Sequence, residues 1–272
     1  PSLPIVLMLA ARPPWLAPAP EQLSAVLAEA PEQSMEVRLE ALTRPFVGAP
    51  YVLSPLGEGA ADAQDPDPRL RLDAFDCTTF VETALALSRA PTLEALGPAL
   101  DALRYRGAPS FTTRRHLTES AWIPDLIAAG VLEDITQQVG GAYTVTSTFA
   151  LTAERWRRRS IARTLRLPDE AVPLGDYRLP WIPIAAIASV ELPPGTIVSL
   201  VREDVAWSPT RITHQGLVVR DPRTGHTLVR HASPVAKRVV DEPLENLVRR
   251  YLHPRVERKW RPVGVNVLRV RG

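Results

Sequence analysis

The chain has one cysteine, Cys77, in 272 residues. No intramolecular disulfide can form, and no cysteine-based zinc site can be assembled. Lysine is nearly absent: Lys237 and Lys259 stand alone, and arginine carries the rest of the positive charge. Aromatic residues make up only 6% of the sequence. None of them forms a stacking ladder between the basic clusters 155–159 and 249–261, as single-strand nucleic-acid binding would favour. The clusters therefore read as a solvated helix face and a solvated tail, and nucleic acid is not an expected partner. The five histidines are scattered, with no HExxH spacing on a helix. No metal and no cofactor is expected. Long hydrophobic runs are missing too. The apolar run 5–11 ends at Arg12, Pro13 and Pro14, far short of the roughly 20 residues that span a bilayer. It reads either as the remnant of a leader peptide or as a greasy arm that packs on the domain. No integral membrane span is expected anywhere.

What is present suits a globular protein. Hydrophobic residues reach 45% and the formal charge is only +2, so a sizeable core can be buried. Residues 1–20 are proline-rich and predict an extended arm. Residues 21–43 carry helical spacing (Leu23, Val26, Leu27, Val37, Leu39, Leu42), which Pro31 should divide into two helices. Residues 45–74 predict a long irregular stretch, which in a compact domain is usually functional or disordered.

The strongest helix is predicted over 75–89. Cys77, Phe80, Val81, Ala84, Leu85 and Ser88 share one face of a 3.6-residue period, and Asp76 is placed to cap its start. Further helices are expected over 92–105 and 122–129, the latter stopped by Gly130. Another should run through the arginines after Ala150, followed by a proline-punctuated linker over 167–183. From Gly195 the pattern changes to strands, at 196–201, 212–220, 226–231, 235–240 and 263–270. Helices first and an antiparallel sheet last indicate an α+β fold.

A nucleophilic cysteine acts as thiolate and needs help to lose its proton. Cys77 falls at a helix start, where the macrodipole and free N–H groups favour an anion. A small buried hydrophobe is the plainer alternative. Two histidines tip the balance. His214 shares a strand face with Ile212, Gly216 and Val218, and a polar ring on an apolar face needs a partner. Gly216 leaves space beside it, where a substrate or another backbone can approach. The turn signal 221–225 joins this strand to the next. With Arg220 opposite Gly225, His214 stands directly opposite His231, close enough for His231 to orient it. A slip of one residue would send His231 to the other face. His116, His226 and His253 have no such placement.

The sequence Asp76-Cys77-Thr78-Thr79-Phe80-Val81-Glu82 resembles the nucleophile motif of the NlpC/P60 cysteine peptidase superfamily, and its continuation is closer to the DUF1460 branch of N-acetylmuramoyl-L-alanine amidases. Thr213-His214-Gln215-Gly216-Leu217 and His231-Ala232-Ser233 are similar to the two histidine motifs, and Pro50-Tyr51-Val52 and Thr113–His116 with Trp122 also look like this branch. Gln215 departs from the usual small apolar residue.

The resemblance implies a papain-like fold, with helices against an antiparallel sheet or half-barrel. It implies a single catalytic domain over 21–272, with insertions near 57–72 and 140–180. It implies a Cys77–His214–His231 triad that hydrolyses the amide between N-acetylmuramic acid and L-alanine in peptidoglycan fragments, anhydro-muropeptides in particular, in the cell envelope, whether periplasm or secreted. Tyr51, Arg115 and Trp122 are the candidates for contacting sugar or peptide. Thr79 and Glu82 are read as structural. The rival readings are a γ-D-glutamyl endopeptidase with the same triad and a glycan-binding module without catalysis.

Overall fold

The computed structural model describes residues 15–29, 32–62, 64–158, 165–221, 223–252 and 260–272. The expected arm over 1–20 and His253 therefore lie largely outside the described residues. Among the described residues, the α-helices are α1 (Pro20–Glu29), α2 (Met35–Thr43), α3 (Cys77–Arg89), α4 (Leu96–Arg104), α5 (Ile123–Ala128), α6 (Thr136–Gly140), α7 (Ala153–Arg157) and α8 (Leu244–Leu252). The strands are β1 (Leu132–Asp134), β2 (Val145–Leu151), β3 (Gly175–Pro183), β4 (Thr196–Arg202), β5 (Ile212–Arg220), β6 (Thr227–Ser233), β7 (Arg238–Glu242) and β8 (Pro262–Val270). They form one antiparallel sheet in the order β2-β3-β8-β4-β5-β6-β7, with β1 added to β8. The fold is α+β. Among the described residues, no helix is long and apolar enough to cross a membrane.

The period-2 alternation of the central strands splits the core into two layers. Ile197, Leu217 and Leu268 stand in one row across β4, β5 and β8, and they pack with Leu39 and Leu42 of α2 and Phe80, Val81 and Leu85 of α3. The alternating residues Val198, Val218, Val229 and Val267 pack on the other side with Leu244, Leu247 and Val248 of α8. α3 is the helix buried deepest, from Thr79 through Ser88. Its inward polar group, Glu82, is ion-paired with Arg104 of α4 at 3.3 Å, and burial pushes its carboxyl up to about 7 despite that partner. The structural role expected of Glu82 fits this placement.

Two expectations change and one element is new. The linker over 167–183 contains β3, whose residues 175–181 pair with β2. Only Ile182 and Pro183 pair with β8, so Pro180 sits where β3 has a neighbour on one side alone, a place that tolerates proline. Within 140–180, β2 and β3 pair antiparallel, and Phe149, Leu151, Trp156 and Val172 form a small core there with Leu117. The basic clusters are not simply solvated. Arg155 pairs with Asp204 and lies 4.3 Å over the Phe149 ring, and Arg250 of α8 reaches inward to Glu242. Finally, a π-turn over Thr118–Trp122 precedes α5, and it carries the buried Glu119, which accepts from Thr210 and from the Arg211 N–H.

The irregular stretch before α3 is held by polar contacts. Glu58 accepts from the Tyr105 hydroxyl at 3.1 Å and faces Arg114 at 3.3 Å, while Arg114 also bonds Asp65 at 2.8 Å. The chain then returns to α3 through a parallel bridge between Tyr51 and Phe75.

Candidate active site

Asp76 fixes where α3 begins. Its Oδ1 accepts from the Thr79 N–H at 2.8 Å, and the Thr79 hydroxyl accepts from the Asp76 N–H at 2.9 Å, a reciprocal capping box. Its Oδ2 accepts from the Ser54 N–H at 3.0 Å, tying the preceding loop to the helix start. Cys77 is consequently the first residue of the helix. Its sulfur lies 4.0 Å from the Thr78 hydroxyl and near the N–H groups of Thr78 and Gln215, which favour the thiolate. Gln215 follows His214 on β5, beyond the Leu217–Arg230 pair where the β5–β6 ladder stops. The helix start thus abuts β5 at the histidine.

Tyr51 lies near enough to Cys77 to feel its charge. Its N–H donates to the Lys237 carbonyl at 3.0 Å. Burial first, then the charges of Cys77 and Asp76, push its phenol up to about 12. Tyr51 is therefore a neutral hydroxyl near the Cys77 thiol.

His214 and His231 meet, with Nε2 of His214 2.7 Å from Nδ1 of His231 and the rings nearly perpendicular at 87°. The register that brings them together differs from the expected one. Arg220 pairs with Thr227, not Gly225, because the turn runs longer: Asp221 N–H donates to the His226 carbonyl at 2.8 Å. This shift of two residues keeps both rings on one face and places Gly216, rather than His214, beside His231. The histidines become diagonal neighbours. A Cβ on Gly216 would lie 2.9 Å from His231 Cβ and 2.6 Å from Val229 Cγ1. The space left by Gly216 is thus filled by His231 itself.

Two residues escaped the sequence reading. Glu242, at the end of β7, has Oε1 2.6 Å from Nε2 of His231, and Arg250 of α8 forms an ion pair with the same carboxylate. The predicted strand stops at Val240, two residues short of Glu242. Continuing its alternation past Val240, which pairs with His231, would have put Glu242 on the histidine face.

The electrostatics favour neutral forms. Burial, then the negative charge of Asp76, pushes the Cys77 thiol up to about 12 against its N–H donors. Burial, then the neighbouring His231 and Arg250, holds His214 well below its ordinary value. Burial and Arg250 press His231 down to about 4, against the Ala232 carbonyl and Asp241.

The other two substrate-contact candidates sit elsewhere. Arg115 donates Nη1 to the carbonyls of Ala102, Leu103 and Tyr105 and Nε to Asp125 at 2.7 Å. Its guanidinium closes the C-terminal end of α4, where orphan carbonyls need donors. Trp122 is 1% exposed and packs in the main core, so it presents no surface to a ligand. His116 bonds the Phe111 carbonyl at 2.6 Å, and His226 is exposed. Among the described residues, no cluster of three or more His, Cys, Asp or Glu is arranged to hold a metal ion.

The chain resembles solved structures along most of its length. A Legionella pneumophila protein of the DUF1460 family model superposes with a TM-score of 0.78 at 23% identity, covering 93% of this chain and 94% of the other. An N-acetylmuramoyl-L-alanine amidase from Bacteroides uniformis superposes with a TM-score of 0.64 at 21% identity, covering 92% and 100%. At these identities the likeness speaks for the fold. No curated protein matches the chain. A family model described as N-acetylmuramoyl-L-alanine amidase-like matches residues 41–252, a span that holds Cys77, His214, His231 and Glu242. The chain belongs to the AmiA-like amidase family.

Proposed function

We propose that this family member is a cysteine-dependent amidase of the cell envelope, with a papain-like fold of the NlpC/P60 type, acting on peptidoglycan fragments in the periplasm or outside the cell. The observation that carries the reading is a helix-start sulfur near the N–H of Gln215, the residue after His214 on β5, while His214 bonds His231 at 2.7 Å. Cys77 is the nucleophile, His214 the base, and His231 the group that holds the base in place.

The sulfur attacks the carbonyl carbon of the amide between the lactyl group of N-acetylmuramic acid and L-alanine. Its proton passes to Nδ1 of His214, since Nε2 is engaged with His231. The tetrahedral oxyanion takes N–H bonds at the start of α3, where such donors are typically worth ~3 kcal/mol each. His214 returns the proton to the departing amine. Water then hydrolyses the thioester, and the fragment leaves as a free lactyl carboxylate. Tyr51 lines the same spot with its hydroxyl. Anhydro-muropeptides, the substrates of wall recycling, are the favoured fragments.

Digestion of a defined anhydro-muropeptide, followed by mass spectrometry, tests the bond choice. The proposal expects the intact stem peptide with a free L-alanine amine, together with the sugar. Cleavage after D-glutamate would instead assign a γ-D-glutamyl endopeptidase, and no cleavage of either bond would leave a glycan-binding module.

The resting state follows from the charge balance around the sulfur. A thiol pushed up to about 12 and a histidine held well below its ordinary value both rest neutral. Proton transfer then accompanies attack rather than preceding it. Burial and Asp76 thus oppose the helix dipole, which alone favours a preformed thiolate. Alkylation of the free enzyme by iodoacetamide should accordingly rise about tenfold per pH unit from pH 6 to pH 9, as thiolate is the reacting form. A plateau reached below pH 7 would show a resting ion pair instead.

A further inference from the structure

Resting on the Cys77–His214–His231 assignment, we propose that Glu242 is a fourth, positioning member of the site, whose carboxylate fixes which ring nitrogen of each histidine carries the proton. The argument is one of donors and acceptors. A carboxylate is an acceptor only, and a neutral imidazole has one donor and one acceptor nitrogen. Glu242 Oε1 lies 2.6 Å from Nε2 of His231 and is ion-paired with Arg250. The nearby guanidinium favours the ionised carboxylate. Nε2 of His231 must therefore hold the proton, and Nδ1 is left as an acceptor. That Nδ1 lies 2.7 Å from Nε2 of His214, so Nε2 of His214 must be the donor. The proton of His214 is thereby placed on the side away from the reaction, and its Nδ1 carries the lone pair that takes the thiol proton. In the opposite arrangement, with Nδ1–H on His231, two lone pairs would face each other across 2.6 Å at Glu242.

The same chain of bonds serves the transition state. When His214 takes the sulfur's proton it becomes a cation, and its Nε2–H bond to His231 strengthens. His231, donating to Glu242 at the same time, is polarised toward it, so the carboxylate stabilises the imidazolium without touching it. Fold geometry makes this possible. Val240 pairs with His231 and Glu242 with Val229, so β7 sets Glu242 diagonally across the histidine face. α8 then brings Arg250 over it from the side opposite α3. The charged groups acting on the pair are Glu242, Arg250 and Asp241, with Arg250 the one that opposes a cation at His214. Glu242 offsets it.

The test has two arms. In the first, long-range proton–nitrogen correlation spectra of the 15N-histidine-labelled wild-type protein at pH 7 read the tautomers directly and need no turnover. Nε2–H tautomers on both His214 and His231 are expected. An Nδ1–H tautomer on His231 would overturn the proposal, whatever the bond cleaved. In the second, Glu242→Gln keeps shape and removes charge. The expectation is a kcat drop of about 10–100-fold, the range for partners that orient a working histidine, with KM and the thermal midpoint near wild type. The acid limb of kcat/KM should also move to lower pH, because loss of the carboxylate disfavours protonated His214. A structural role would lower the midpoint and leave the pH profile in place, and that outcome, or wild-type kcat, would overturn the proposal. If wild-type protein cleaves no muropeptide, the amidase reading fails while the spectra still decide the role of Glu242.

Discussion

Cys77→Ala should reduce amide hydrolysis by about 10⁴- to 10⁶-fold while leaving the thermal midpoint close to wild type. The magnitude follows from the proposed chemistry. Removal of a nucleophile leaves only the contribution of binding and oxyanion donors, and losses of this order are the norm when one member of a nucleophile–base unit is removed. The small effect on stability follows from position. Cys77 is not part of the hydrophobic core, the helix is capped by Asp76 and Thr79, and the hydrophobic face of α3 is supplied by Phe80, Val81, Ala84 and Leu85. His214→Ala should fall as far, and the double variant no further, because the two side chains act in one step. Steady-state turnover of the three proteins on one muropeptide, alongside thermal unfolding, checks this. Additive losses would mean that the sulfur and the imidazole work separately.

Gly216→Ala should damage both stability and catalysis, for a reason that lies in the strand register. The added Cβ would sit 2.9 Å from His231 Cβ, 2.6 Å from Val229 Cγ1 and 3.0 Å from the Arg230 carbonyl. One of these neighbours is backbone, so the sheet itself must move. Overpacking of this kind costs about 1–3 kcal/mol. His231 is the neighbour with room for the least movement, since it is held between His214 at 2.7 Å and Glu242 at 2.6 Å. A displacement of about 1 Å in a positioning group can lower kcat by about 10²-fold. Measured together, the thermal midpoint and kcat should both fall. A lowered midpoint with unchanged kcat would show that the exact seat of His231 is unimportant.

The glycine also shows how far this site can be read from sequence. Alternation along β5 gives the face of His214 and the gap at Gly216, and the Asp-Pro-Arg-Thr-Gly signal gives the hairpin. It does not give the hairpin's length. The real turn extends to His226, and the partner of Arg220 moves by two residues. The pairing of the histidines survives only because two is the side-chain period of a strand. Cys77 is legible for a local reason: the capping box and the apolar stripe that define α3 all lie within thirteen residues. Arg115 and Trp122 are not legible, because an arginine that caps a distant helix and a tryptophan that fills the core look the same in sequence as ones that face a ligand. Glu242 is hidden by the Pro243 that follows it, which suggests the end of a strand rather than a side chain turned back onto the histidines. The β2–β3 pair is masked by Pro173, Pro180 and Pro183, tolerated because β3 is paired on one side over most of its length.

The resting charge state is less legible for a different reason. A helix start favours an anion by a fraction of a kcal/mol up to about 2 kcal/mol, which sequence position reveals. The opposing desolvation depends on how the rest of the chain closes over the sulfur, and Asp76, the residue that caps the helix, adds its own negative charge. The cap that builds the site thus also raises the thiol that it presents.

Acid-quenched mass spectrometry of the protein during turnover of an anhydro-muropeptide would reach the proposed chemistry itself. The expected spectrum contains a peptide spanning Cys77 that carries the muramyl lactyl group as a thioester, with the stem peptide already released. A Cys77→Ala protein that turns over at the wild-type rate, with no adduct on any wild-type peptide, would contradict it.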